Sequence, residues 1–301
     1  MRQIYNINAN WAFSMTCDQV PSTMPTDWNM VSIPHTWNNL DGQDGGNDYA
    51  QCACFYVKEI ERPEGQLVFI ELQGVSAVAT VYVNGQQVAY HEGGYSTFRA
   101  NITEQLVEGK NIIAICADNT KRENVYPQSA DFTFYGGVYR DVNIITVNES
   151  HFDLENYGGS GVTVTTESIE NGNAVIALTA AVKNAAEFQT VTFQIKNAEG
   201  RIVAQTSLPA SEDCKTKVMI PNVHLWNGVV DPYLYTVNVM LICHNDVIDE
   251  ITVRHGVRTF SVDPQKGFFL NGVLTPLRGV SRHQDFIAIG NALTKEEHIR
   301  D

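Results

Sequence analysis

The chain has 301 residues, 44% of them hydrophobic and 18% charged, with a net charge of −14. That length suggests about two domains, and the acidic balance argues against nucleic acid or an anionic membrane surface as a partner. No apolar run approaches the roughly 20 residues of a membrane span. The first residues lack a signal peptide's apolar segment, so a cytoplasmic protein is expected, with a periplasmic or secreted protein that has lost its leader as the alternative.

Residues 1–147 read as an all-β unit, with strand-like runs at 31–33, 54–60, 67–72, 77–83, 87–90, 111–117 and 141–146. Alternation in Ala79-Thr80-Val81-Tyr82-Val83 puts Ala79, Val81 and Val83 on one face. Asn84-Gly85 then closes a hairpin, because this pair supplies the positive φ angles that a two-residue turn needs. Residues 103–106 read as a single helical turn. Many short strands broken by Gly, Pro and Asn point to a sandwich or jelly roll.

Two long loops interrupt this regularity. Residues 35–51 carry Asp41, Asp44, Asn47, Asp48 and Tyr49, and residues 119–137 carry Asp131, Phe132, Phe134 and Tyr135. Long loops in a compact β domain are uncommon and often functional. Carboxylates and amides suit sugar hydroxyls, and flat rings suit the C–H face of a sugar. For either loop alone, a solvated connection held by Asx turns explains the composition equally well. If Asp44, Asp48 and Asp131 approach one another, orienting hydroxyls suits them better than acid catalysis.

The register changes over 148–160, and Gly158-Gly159-Ser160-Gly161 marks a linker or first turn. No helix follows these glycines, so a phosphate cradle is a weak reading. A second β unit runs from 161 to 262, with strand-like runs at 162–166, 174–183, 190–196, 201–207, 215–220, 235–243 and 249–257. Seven strands over this span is the immunoglobulin-like count, without the Cys–Trp–Cys core of an antibody domain. Leu225-Trp226 and Pro232-Tyr233-Leu234-Tyr235 are expected in the core, with a contact between domains as the alternative.

Asn271-Gly272 sits between two apolar runs and predicts a further hairpin. Residues 276–280 read as a short buried strand, ending among Arg278, Gly279, Ser281, Arg282 and His283. The C-terminal ends of strands are where α/β barrels keep their chemistry. Thr294-Lys295-Glu296-Glu297 has the form of a capping box, so a helix is expected from Lys295. So short a helix, with nothing following to pack on, is not stable alone. The chain therefore reads as stopping just inside a further domain.

Six cysteines at positions 17, 52, 54, 116, 214 and 243 show no disulfide or zinc spacing. Cys52-x-Cys54 is a weak metal signal, and buried free thiols are expected. The eight histidines form no i,i+4 pair and no His-Glu-x-x-His, so no metal site is predicted.

Several motifs then converge. They are Ile33-Pro34-His35-Thr36-Trp37, Val81-Tyr82-Val83-Asn84-Gly85 and His91-Glu92-Gly93-Gly94-Tyr95-Ser96-Thr97-Phe98. Asp131 before Tyr135-Gly136-Gly137-Val138-Tyr139-Arg140-Asp141-Val142 follows, then Leu225-Trp226, Leu270-Asn271-Gly272 and Arg278-Gly279-Val280-Ser281-Arg282-His283. In this order, over nearly the whole chain, they resemble the N-terminal part of the family 2 glycoside hydrolases, the group of β-galactosidases, β-glucuronidases and β-mannosidases. The resemblance implies a mainly β chain. A jelly-roll sugar-binding domain would occupy 1–148, an immunoglobulin-like sandwich 149–262, and the first strand and helix start of a truncated (β/α)8 barrel 263–301.

By the same resemblance, Asp131 matches an aspartate that reaches into the barrel mouth to bind sugar hydroxyls. His283 matches a histidine at the end of the first barrel strand. Asn47 or Asp48 matches a loop residue beside that pocket, and Arg282 joins them as a substrate-binding candidate. Two departures are Ser281, where the family often has Asn, and Gln284, where it often has Glu. The Arg-Gly-Val-x-Arg-His form leans toward β-galactosidase, whereas His-Glu-Gly-Gly-Tyr does not discriminate. Retaining glycosidases need two carboxyl groups roughly 5–5.5 Å apart, which in the family are glutamates beyond residue 301, so no catalytic residue is expected in this chain. Asn148-Glu149 mimics the acid/base motif but reads as linker, because it lies at a sandwich end.

The expected function is thus the non-catalytic N-terminal portion of a retaining exo-β-glycosidase, foremost a β-galactosidase acting on terminal β-galactosides. A β-glucuronidase or other family 2 glycosidase, or a stand-alone carbohydrate-binding module, is the alternative. Asp131 offers the oxygen ligand that sodium or magnesium takes in the complete enzyme, although no spacing requires an ion. The family's members often associate through these β domains, which makes a homo-oligomer an expectation.

Overall fold

The computed structural model describes residues 1–16, 18–45, 48–126, 130 and 132–301. The chain divides into two compact units. One holds residues 3–146 and 282–301, the other residues 1–2 and 147–281.

The first unit is a sandwich of two antiparallel sheets. One sheet orders Gln3–Asn6, Val142–Val147, Leu67–Leu72 and Phe98–Asn101 side by side. The other orders Asn29–Val31, Trp11–Ser14, Ala53–Glu61, Lys110–Asp118, Val78–Val83 and Gln86–Glu92. Their facing sides share one core: Val68, Ile70, Leu72, Phe98 and Ile144 from the first sheet meet Trp11, Tyr56, Val81, Ile113 and Ile115 from the second. Each fully buried large side chain stabilises the fold by on the order of 2 kcal/mol.

The wider sheet is covered on both faces. Cys54 and Tyr56 enter the main core, while Phe55 and Val57 join Ala12, Ile112 and Ala114 in a second cluster beneath Val20, Met24 and Trp28. This double covering explains why residues 54–57 show no polar alternation. The hairpin at Asn84-Gly85 forms as expected, with φ of 49° and 79°. Residues 103–105 form a 3₁₀ turn. The strand expected at 31–33 lies instead at Asn29–Val31. Strands Gln3–Asn6, Trp11–Ser14 and Phe98–Asn101 are additional, being too short to leave a periodic signal.

The second unit is a smaller sandwich. Val162–Glu170, Asn173–Ala180 and Cys214–Ile220 form one sheet; Ile202–Pro209, Gln189–Lys196, Tyr235–Cys243 and Asp246–His255 form the other. Asn173–Ala180 and Tyr235–Cys243 alternate cleanly, and Ile176, Leu178, Val191, Phe193, Val237 and Val239 fill the space between the sheets. Tyr235 is buried, whereas Leu225 and Tyr233 pack half-buried at the margin. Asp249 is fully buried, and Arg2 reaches it at 2.8 Å. Asp249 also accepts from the Phe152 amide at 2.8 Å, so the buried carboxylate is satisfied. Asn148 of the expected linker donates to the Ile248 carbonyl at 2.8 Å. Of the described cysteines, Cys54 and Cys214 are buried and the others half-buried, all as free thiols.

Phe260–Asp263, Gly267–Leu270 and Val273–Leu274 form a three-stranded sheet. Its Asn271-Gly272 turn has φ of 49° and 78°, as the hairpin reading requires. Asn271 anchors it by donating to the Trp226 carbonyl at 3.0 Å.

One expectation is corrected. Residues 276–280 are not a buried strand: they pair with no described segment, and Leu277 and Val280 are 75% and 95% exposed. A barrel strand exists through hydrogen bonds to neighbours on both edges, and its apolar side chains alone do not create those edges. The helix Lys295–Arg300 does form, with the capping box that Thr294 and Glu297 predict. The division between the two units, at 281/282, falls within the stretch read as the start of a barrel.

Candidate functional site

The two long loops of the first sandwich are joined at Asn38. Its side chain is fully buried, and every polar atom of it is used. The amide nitrogen donates to the Ala50 carbonyl at 3.0 Å and to Asp41 Oδ1 at 3.2 Å. The amide oxygen accepts from the Gly136 backbone at 2.8 Å and from Asn119 Nδ2 at 3.2 Å. Asn119, also fully buried, accepts from the Cys52 amide at 2.9 Å. A satisfied buried network of this kind fixes one loop conformation, because every alternative strands a polar group away from water.

Close packing adds to the hydrogen bonds. Gly136 lies flat on Trp37, where a Cβ would come within 2.1 Å of the indole. Only glycine fits there. Beneath the loops, His35 Nδ1 faces the Tyr56 hydroxyl at 2.8 Å. Burial lowers the pKa of His35 to about 4, so the ring stays neutral at physiological pH.

The segment after residue 281 is held on the same loops. Tyr135 donates to Asp285 Oδ2 at 3.0 Å, and its ring packs on Gly290. Gln43 clasps the backbone twice: its nitrogen donates to the Phe286 carbonyl at 2.7 Å and its oxygen accepts from the Ala288 amide at 2.9 Å. Asn39 adds a bond to the Ala288 carbonyl at 2.9 Å.

His283 stands exposed at the edge of this assembly, edge-on to Phe132 at 6.0 Å and 83°. From there a row of rings continues. Phe132 meets Phe134 at 4.9 Å, Phe134 meets Tyr126 at 6.0 Å, and Tyr126 meets Tyr95 at 5.1 Å. Phe132 and Tyr95 are 45% and 56% exposed. Burial, and then the neighbouring Tyr126, push the Tyr95 hydroxyl up to about 12, so that phenol stays neutral at physiological pH. Exposed rings beside an imidazole and loop amides can stack on a sugar's apolar face while donating to its hydroxyls.

Asp131 and Asn47 lie outside the described residues. Asp48 is exposed on its loop. Arg282 is tied to Asp301, with Nε 2.9 Å from Oδ2, and approaches His298 Nδ1 at 3.3 Å. The structure thus brings His283 to the aromatic loop and engages Arg282 locally. Sequence reasoning missed Asn38, Gln43 and Tyr126, since isolated polar or aromatic residues in loops carry no periodic signal. Among the described residues no cluster of three or more His, Cys, Asp or Glu side chains is arranged to hold a metal.

Residues 4–148 match the family model for the glycosyl hydrolases family 2 sugar binding domain, and residues 160–258 match the model for glycosyl hydrolases family 2. A β-glucuronidase from Bacteroides fragilis is 34% identical over 311 residues, covering 100% of this chain and 44% of that protein. A β-galactosidase from Thermoanaerobacter pseudethanolicus is 28% identical, covering 100% of this chain and 41% of the relative. The solved structure of an FMN-binding β-glucuronidase from Facaelibacterium prausnitzii L2-6 superposes with a TM-score of 0.93 at 39% identity, over 100% of this chain and 46% of that one. The chain spans less than half the length of each of these relatives. With both models in sequence and a sandwich under each, this chain belongs to glycosyl hydrolases family 2 and corresponds to the N-terminal part of such enzymes.

Proposed function

We propose that this chain is the non-catalytic N-terminal portion of a retaining exo-β-glycosidase whose preferred substrates are terminal β-glucuronides. The observation that carries the reading is the exposed His283 beside the Phe132 ring, on loops locked in place by Asn38. A site that must present rings and amides to a sugar needs such rigid support. The glucuronide preference is supported by relatives named β-glucuronidases at 34% and 39% identity. A β-galactosidase is the second reading. It is favoured by the Arg278-Gly279-Val280-x-Arg282-His283 form and by the relative of that name at 28% identity.

In this proposal His283, with Asp131, Asn47 and Asp48, orients hydroxyls of the terminal sugar, and Arg282 supports the strand end beside it. Residues 276–280 become the first strand of a catalytic barrel, gaining their edges from strands further along the whole protein. The acid/base and nucleophile come from that barrel, as a pair roughly 5–5.5 Å apart.

The test uses the whole protein with p-nitrophenyl β-D-glucuronide and β-D-galactoside. The glucuronide is expected to have a kcat/KM at least about tenfold higher, since a site built around a carboxylate rejects analogues lacking it. The reverse ratio selects the second reading. The 301 residues alone are expected to hydrolyse neither substrate, and turnover by that chain above a buffer control sinks the assignment of the chemistry elsewhere.

A further inference from the structure

The second sandwich holds a cleft of its own. Its volume is about 610 Å³, within the range of small-ligand sites. The floor is the outer face of the four-stranded sheet. Lys196 and Arg254 both pair directly with Thr236, from opposite sides. Directly opposed residues on neighbouring strands share a face, so two cations flank one hydroxyl in a row across three strands. Asn238 lies two residues further along the same strand and face, donating to Glu250 at 2.8 Å and Thr252 at 3.0 Å.

Two walls make this floor concave. One is the turn at 197–200, where Asn197 Oδ1 accepts from the Arg201 amide at 2.8 Å. The other is the arm at 231–234. Tyr233 ties wall to wall, its hydroxyl accepting from the Ala198 amide at 3.1 Å. His224 stacks on the Tyr233 ring at 3.9 Å and 7°, and its Nε2 meets Asp231 at 2.7 Å. The one carboxylate lining the cleft is thereby engaged by an imidazole, while Lys196 and Arg254 form no ion pair among the described residues.

We infer that this cleft binds an anionic saccharide, with the carboxylate of a uronic acid between Lys196 and Arg254 and the hydroxyls toward Thr236 and the turn. A chain of net charge −14 repels anions at long range. An anion is held there only by direct charge-assisted bonds, which Arg254 supplies bidentately and Lys196 as a point charge. The volume exceeds what a simple ion fills, and the polar floor suits a sugar ring. The inference is independent of which terminal sugar the whole enzyme cleaves.

The experiment is calorimetric titration of the chain with cellobiouronic acid, cellobiose and inorganic sulfate, repeated on the double variant Lys196→Ala/Arg254→Ala. Saturable binding of the acid is expected, at least about tenfold tighter than cellobiose, with a loss of at least about tenfold in the variant. Both side chains lie on the outer face of the sheet, and an unchanged urea midpoint verifies that the variant folds. Equal binding of cellobiose overturns the anionic assignment. Sulfate binding as tightly as the disaccharide reduces the site to a simple anion trap and overturns the saccharide. Binding that survives in the double variant, or no binding at all, overturns the site.

Discussion

The two sandwiches solve the same problem, connecting antiparallel strands, in opposite ways. The second closes two of its hairpins with two-residue turns, Asn171-Gly172 at φ of 50° and 78° and His244-Asn245 at 48° and 75°. Their left-handed residues set the turn locally, and a Cβ at Gly172 would meet nothing within 4 Å. The first sandwich instead carries two long loops and orders them with buried amides and a glycine pressed onto Trp37. Ordering long loops costs conformational entropy, so their single conformation must come from tertiary contacts. Side chains presented by such loops are held in place without belonging to any strand.

The sharpest way to break this contrast is Asn38→Ala. It strands the Gly136 amide in a dry site, at about 1–3 kcal/mol, and removes the bonds to Asp41 and Asn119, while the Ala50 carbonyl keeps Trp37 Nε1 and Asn119 Nδ2. A total loss of about 4 kcal/mol is expected from the urea midpoint of the first unit. Gly136→Ala is next, at about 3 kcal/mol, because the added methyl meets an indole that cannot withdraw. A loss under about 1 kcal/mol for either variant would mean that the loops are not fixed as described.

The third effect depends on pH. The folded state holds His35 neutral with its pKa lowered to about 4, while the unfolded chain protonates it near the usual 6.5. Stability is therefore complete above the unfolded value and is lost as pH falls through the window toward 4. Between pH 7 and pH 5 the loss should be roughly 2 kcal/mol, and His35→Gln should flatten that slope. An equally steep slope in the variant assigns the dependence to other groups.

Gly172→Ala sharpens the comparison from the other side. With open space around it, the only penalty is the left-handed backbone, about 1 kcal/mol. The smallest effect is that of Tyr135→Phe, which removes one bond to Asp285 and should cost about 1 kcal/mol or less. Its clearest readout is faster hydrogen exchange at the Gly290 amide, which closes on Phe286 at 2.9 Å.

Much of the fold was readable because its signals are local. Alternation located Val78–Val83, two Asn-Gly pairs located hairpins, and a capping box located a helix start. Residues 276–280 were not readable in this way, since a buried strand and an exposed apolar segment share one composition. The difference lies in partners, which a segment does not encode. The candidate site was half legible. His283 and the aromatic loop stood out by motif, but the roles of Asn38 and Gln43 depend on atoms distant in sequence. The lean toward β-galactosidase came from a six-residue form, and the comparisons do not single that activity out.

Gln43 bonds residues 286 and 288 through their main-chain atoms. It is therefore blind to the side chain between them, and Ile287 can drift freely in evolution without loosening the grip. Deleting one residue there is another matter, because the carbonyl and amide would fall out of step with the two ends of a single carboxamide. Chimaeras that exchange this short segment between relatives should tolerate any spelling but only one length.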